Sequence, residues 1–150
     1  MHTFSDNKHI YSVDMMLAYL NLHKYPTKLF KVSDLVSTLD WPGWGDPRKK
    51  IQYSANDVLR NKKKYAMDYA YIKRADLKYP IIMYCGNVID GVHRLANAKL
   101  KDLETIKAYV FDKKTMDKFI IAHAGEWKKI DNMTIREILE RWETKISKIL

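Results

Sequence analysis

The chain has 150 residues, 47% hydrophobic and 30% charged, with five glycines and four prolines; this excludes disordered, collagen-like and low-complexity proteins and leaves a single folded domain over residues 1–150. No apolar run approaches the roughly 20 residues of a membrane span, the start Met1-His2-Thr3-Phe4 is not that of a signal peptide, and the one cysteine, Cys85, supports neither an internal disulfide nor a two-thiolate zinc site. A cytoplasmic protein without membrane contact is expected. The net charge of +9 is concentrated: from Arg48 to Lys78 ten basic residues stand against three acids, which is +7.

Residues 12–23 are dense in apolar side chains (Val13, Met15, Met16, Leu17, Tyr19, Leu20, Leu22) and predict a short buried helix, with Ser12 or Asp14 at its start. Val32, Leu35, Val36 and Leu39 have helical spacing and predict a second, with Ser33 as cap. Two glycines and two prolines within residues 41–47 predict a loop. Its tryptophans, Trp41 and Trp44, either anchor it in the core or offer a platform to a ligand ring, and anchoring is the expectation. Ile51 and Tyr53 suggest a brief extended piece. Ser54 then caps a helix that carries Asp57 in its first turn and runs toward Tyr65, and another helix passes through residues 68–74.

Ile81-Ile82-Met83-Tyr84 predicts a buried strand, and Cys85-Gly86-Asn87 turns the chain into a second strand at Val88-Ile89. Asp90-Gly91-Val92-His93-Arg94 leads into a helix over residues 95–100, followed by a strand over residues 105–111. Residues 115–124 predict a helix closed by Gly125. Thr134 and Glu137 form a capping box for a final helix to residue 150, whose stripe of Ile135, Ile138, Leu139, Trp142, Ile146 and Ile149 reads as core rather than dimer seam.

Where a strand gives way to a helix, unpaired backbone N–H groups and the positive end of the helix dipole favour anions. Gly91 at that junction permits close approach of a phosphate, Arg94 is a fork suited to phosphate oxygens, and Asp90 suits magnesium. The same five residues also fit a plain turn, with Asp90 as a cap and Arg94 solvated. No Gly-x-x-x-x-Gly-Lys-Ser/Thr loop occurs, the five histidines lack zinc-site spacing, and no nucleophile elbow supports a Ser-His-Asp triad.

Three runs carry a resemblance: Ala75-Asp76-Leu77 to Tyr79-Pro80-Ile81-Ile82, Val88-Ile89-Asp90-Gly91-Val92-His93-Arg94-Leu95-Ala96-Asn97-Ala98, and Thr105-Ile106-Lys107-Ala108. Together they resemble the ParB/sulfiredoxin superfamily of small nucleotide-binding domains over about residues 75–111, with a looser match back to Ile51. Asp90-Gly91-Val92-His93-Arg94 looks like the phosphate-binding element of its free serine kinases, sulfiredoxins and ParB N-terminal domains. The resemblance implies an α/β (α+β) domain with a small mixed sheet among helices. Its core would lie at about 51–111, with a helical extension over 1–50 and further helices over 112–150. It also implies binding of ATP, ADP or CTP with magnesium, with Gly91, His93 and Arg94 on the phosphates and Asp90 matching the kinase aspartate.

Departures from that pattern narrow the expectation. Val92 stands where sulfiredoxins carry their cysteine, so sulfinic acid reduction is not expected, and it also replaces a histidine of the kinase motif. Only about 39 residues follow residue 111, which does not fit the helix-turn-helix region of a ParB clamp. The glutamate base of the serine kinases has no aligned counterpart, and Asp57 is the candidate carboxylate. The reading is therefore a nucleotide-dependent phosphotransferase or hydrolase with Asp90, His93 and Asp57 as catalytic candidates, acting on a small hydroxyl-bearing acceptor or water. The alternative is a DNA-binding or ParB-like nuclease module that uses Lys49, Lys50, Arg60, Lys62, Lys63 and Lys64 on backbone phosphates.

Overall fold

The computed structural model describes residues 2–147 and 149, in which helices and short strands mix in an α+β fold. The chain opens with strands β1 (Thr3–Ser5) and β2 (His9–Ser12), helix α1 (Val13–Leu22), strand β3 (Thr27–Lys31) and helix α2 (Val32–Leu35), which continues as a 3-10 turn over Val36–Asp40. Strands β4 (Trp44–Asp46) and β5 (Ile51–Tyr53) precede helices α3 (Ala55–Arg60) and α4 (Ala66–Arg74). Next come the hairpin strands β6 (Ile81–Tyr84) and β7 (Asn87–Asp90), helix α5 (Val92–Leu100) and strand β8 (Thr105–Phe111). The last part holds α6 (Lys113–Met116), β9 (Ile120–His123), α7 (Trp127–Asp131) and α8 (Ile135–Ile146). Among the described residues, no helix is long and apolar enough to cross a membrane.

The backbone divides into two compact units: Pro26–Val110, and the residues up to Tyr25 together with those from Phe111 onward. The Pro26–Val110 unit is built on a sheet of order β3-β8-β6-β7. Strand β8 pairs antiparallel with β3, from Thr27 opposite Tyr109 to Lys31 opposite Thr105. Ile106 and Ala108 are buried while Thr105 and Lys107 are exposed, the two-residue period of a strand with one covered face. Ile81, Ile82 and Met83 are all buried in β6, an inner strand of the sheet. The helices bring Val32, Leu35, Val58, Ile72, Leu95 and Ala98 into one apolar cluster with Ile81, Met83, Ile106 and Ala108. The other unit carries a sheet of order β1-β2-β9 and its own core, in which Ile10, Tyr11, Met15, Met16, Met116 and Phe119 are buried.

Most expected elements form at their sequence signals. Ser12 caps α1 by accepting from the Met15 N–H, Ser54 and Asp57 form the capping box of α3, and Thr134 and Glu137 that of α8. Five expectations are corrected. The N-terminal extension is not purely helical, since β1, β2 and β3 lie in it. Ser33 does not cap α2, whose N-cap is Lys31, without a side-chain bond. Helix α3 stops at Arg60 instead of reaching Tyr65. The loop of residues 41–47 contains β4, which pairs antiparallel with β5. The helix expected over 115–124 ends early: Ile120–His123 is strand β9, whose His9–His123 and Ile10–Ala122 pairings with β2 decide the conformation of a run rich in β-branched residues.

Helix α8 ends at Ile146, and residues 148 and 150 of the expected helix lie outside the described residues. Its apolar stripe is only partly covered, because Leu139 is 60% exposed. Anchoring of the tryptophans holds for Trp44, which packs on the apolar cluster of its unit, and fails for Trp41, which is 69% exposed.

Candidate functional site

The β6–β7 hairpin delivers the Asp-Gly-Val-His-Arg run to the start of α5. Cys85 and Gly86 both take positive φ, 47° and 76°, as the right-handed twist of a tight hairpin favours. Ile82 faces Asp90 while Met83 faces Val88, so the register shifts across Ile89. Such a bulge re-aims the strand's last side chain. Gly91 then turns the chain into the helix with φ 101°. A Cβ on Gly91 would lie 2.6 Å from Ile81 Cγ2 and 2.9 Å from Arg94 Nη2, so both conformation and space require glycine here. No side chain caps α5, and the N–H groups of a helix's first turn have no partner within the helix.

Arg94 reaches back one turn and donates from Nη2 to Asp90 Oδ2 at 2.6 Å, with side chains only 20% and 17% exposed. Its Nε is buried without a hydrogen-bond partner. The guanidinium therefore lies folded beneath the helix start, and Asp90 serves first as its counter-ion. A magnesium ion at Asp90 would compete with that pair, so the donor set on the protein does not fit a resident metal at this carboxylate. Among the described residues, no three carboxylate, imidazole or thiolate groups converge on one point.

His93 is set differently. Its imidazole stacks on the Trp44 indole, with centroids 4.5 Å apart and planes at 17°, and the edge of Tyr71 approaches at 6.3 Å and 76°. Burial pushes the imidazole below its ordinary 6.5, Arg94 adds to that shift, and Asp68 and Asp90 oppose it. His93 is thus neutral near pH 7. Asp68 is itself held by the Tyr53 hydroxyl, which donates to Oδ2 at 2.7 Å. That bond, with burial, pushes the Tyr53 phenol up to about 12. The Tyr53 ring stacks on Tyr65 at 4.4 Å and 27°.

Sequence reasoning missed Asp68, Tyr53 and Tyr71 as neighbours of the motif. The one signal pointing to them was tryptophan in a Gly/Pro loop, since Trp44 sits in β4 opposite Tyr53 and so brings that hairpin to His93.

Asp57 stands apart from this arrangement. Its Oδ2 accepts from the Ser54 N–H and hydroxyl, both at 2.9 Å, and Arg60 lies 3.5 Å from Oδ1. The Ser54 bonds hold its carboxyl below the usual range. The carboxylates acting on His93 are Asp68 and Asp90.

The six basic candidates are all exposed, but they differ in their partners. Lys49 lies 3.9 Å from Asp46, and Arg60 bridges Asp40 and Asp57. Lys62 and Lys64 instead sit over the rings of Tyr69 and Tyr65. Lys50 and Lys63 project from turns at either side of α3. Comparison with family models, with curated proteins and with solved structures finds no match for this chain.

Proposed function

We propose that the Pro26–Val110 unit is a nucleotide-binding domain of the ParB/sulfiredoxin kind, taking ATP, ADP or CTP with magnesium and using it in phosphoryl transfer to a hydroxyl-bearing acceptor or in hydrolysis. The observation that supports this reading is the start of α5 at Gly91, where the backbone turns with φ 101° and the cap residue makes no side-chain bond to the first-turn N–H groups. Those groups and the helix dipole suit phosphate oxygens. Arg94, at the same turn, would meet a phosphate by exchanging its present partner Asp90, and magnesium would arrive on the nucleotide phosphates.

Neutral His93 is the proton acceptor in this reading. As an acceptor hydroxyl attacks the terminal phosphorus and the bond to the departing nucleoside phosphate breaks, the hydroxyl proton passes to the imidazole. Asp68 and Asp90 stabilise the imidazolium that results. Asp57 has no part in this chemistry, because the capping box occupies it. The lone, exposed Cys85 accords with a reducing, cytoplasmic setting.

Isothermal titration with ATP, ADP and CTP, each with magnesium, tests the reading on wild type, His93→Ala, and the double change His93→Ala, Arg94→Ala. Thermal melts of each variant separate lost binding from lost fold. Binding by wild type that fails in folded His93→Ala supports the site. Absence of binding to all three nucleotides overturns it.

A further inference from the structure

Strand β3 (Thr27–Lys31) closes one end of the sheet β3-β8-β6-β7, so only one of its two sides is hydrogen-bonded to a neighbour. The Val32 N–H donates to the Glu104 carbonyl at 2.9 Å. In the same register Phe30 faces Ile106 and Lys28 faces Ala108, so these alternate residues exchange their backbone bonds with β8. The N–H and C=O groups of Thr27, Leu29 and Lys31 therefore point the other way, and among the described residues they meet no partner. The opposite end of the sheet, β7, is distorted by the register shift between Ile82 and Met83, whereas β3 runs against β8 without a break. A regular, unpaired edge is a template for another strand. Its side chains indicate which. Leu29 is 66% exposed and lies between Lys28 and Lys31, and its cross-strand neighbour on β8 is the exposed Lys107. Strands β3 and β8 together hold these three lysines and no acid, and among the described residues none of the three is paired with a carboxylate.

We propose that the β3 edge binds an extended acidic segment of another protein as an added antiparallel strand, with an apolar side chain set against Leu29 and acidic ones against Lys31 and Lys28. Leu29 would exchange both backbone bonds with the residue opposite it. An acid two places away on the same face then meets Lys31, and one at the adjoining position, on the other face, meets Lys28. A second copy of this chain fits less well. A two-fold axis through Leu29 puts Lys31 opposite Thr27 and Lys28 opposite Phe30, which gathers four lysines at one joint between chains of net charge +9 and supplies no acid. Lysine on an edge deters pairing between copies, and the same charge selects an acidic strand. The edge lies outside the motif at α5, so the proposal does not depend on nucleotide binding.

The probe is a fluorescein-labelled peptide, Gly-Glu-Thr-Val-Glu-Thr-Gly, titrated into the full chain and followed by anisotropy. Saturable binding that weakens with salt is expected, and replacing both glutamates by lysine should abolish it. N-methylation of the valine removes the N–H aimed at Leu29 and should also abolish it. N-methylation of the threonine before the valine, whose N–H points away from β3, should leave binding nearly unchanged. On the protein, Leu29→Pro removes an outward donor without removing a bond to β8 and should abolish binding. Lys28→Glu with Lys31→Glu should weaken it by about tenfold or more. Circular dichroism melts establish that each variant folds, and the modified peptides test the edge on wild type alone. Equal binding of the lysine peptide, equal loss from the two N-methylated peptides, or no binding at low salt overturns the proposal. So does wild-type affinity in folded Leu29→Pro, or a dimer in sedimentation that Leu29→Pro dissociates, which would make the occupant a second copy.

Discussion

The imidazole of His93 lies nearly parallel to the indole of Trp44, centroids 4.5 Å apart, so a residue from a Gly/Pro-rich hairpin forms one wall of the motif at the start of α5. This wall covers one face of the imidazole, and burial lowers the His93 pKa. Trp44→Ala should therefore raise the His93 pKa toward 6.5 and leave the ring less well placed, weakening nucleotide binding. A proton NMR titration of the His93 ring, compared with wild type, checks the direction; an unchanged or lower value would refute it.

Gly91→Ala puts a Cβ into Ile81 and Arg94 on a backbone with φ 101°. A non-glycine residue held in such a conformation costs about 1–3 kcal/mol, and the clash adds to that. Urea denaturation should show a loss of at least this size, together with loss of any phosphate affinity at α5.

Asp90→Asn removes the charge that Arg94 pairs with at 2.6 Å while leaving the guanidinium four-fifths covered. Hydrogen bonds to charged groups contribute about 1.5–3 kcal/mol, and an uncompensated partner adds cost. The double change Asp90→Asn, Arg94→Met should destabilise less than the sum of the two single changes. Additive single effects in a denaturation cycle would mean that the ion pair contributes nothing.

The sign of the His93 pH effect follows from its depressed pKa. Above 6.5 the imidazole is neutral in both folded and unfolded chains, and its contribution to stability is fully present. As pH falls through 6.5 toward the lower folded value, the unfolded chain takes up the proton first and stability is lost. His93→Gln should flatten the part of the stability curve that lies below about pH 7. Phosphate affinity in wild type should rise over the lower part of the same range, as His93 gains its charge, and stay level in the variant.

Local signals in the sequence carried much of the fold. Ser12, Ser54 and Thr134 marked helix starts because a short hydroxyl side chain can accept from the third N–H of a helix wherever that helix lies. The apolar run Ile81-Ile82-Met83 followed by Cys85-Gly86 marked the hairpin for an equally local reason. Ile120–His123 did not declare itself, because its strand exists only through pairing with β2, more than a hundred residues earlier. Trp41 and Trp44 are alike in sequence, and only packing set one, partly buried, against the apolar cluster and left the other exposed.

The candidate site divides in the same way. Gly91, His93 and Arg94 were legible because glycine, a strand end and a helix start occur together within a few residues. The assignment of the carboxylates was not. Asp57 and Asp68 are both acids at the beginnings of short helices, and capping chemistry tied one to Ser54 while the packing of α4 against the β4–β5 hairpin turned the other toward Tyr53 and His93. Charge density from Arg48 to Lys78 is a property of composition and was fixed by the chain alone. Which lysines are paired with acids and which lie on tyrosine rings depends on how each turn and helix orients near neighbours, as with Lys49 and Asp46 or Lys62 and Tyr69, and composition does not decide that orientation.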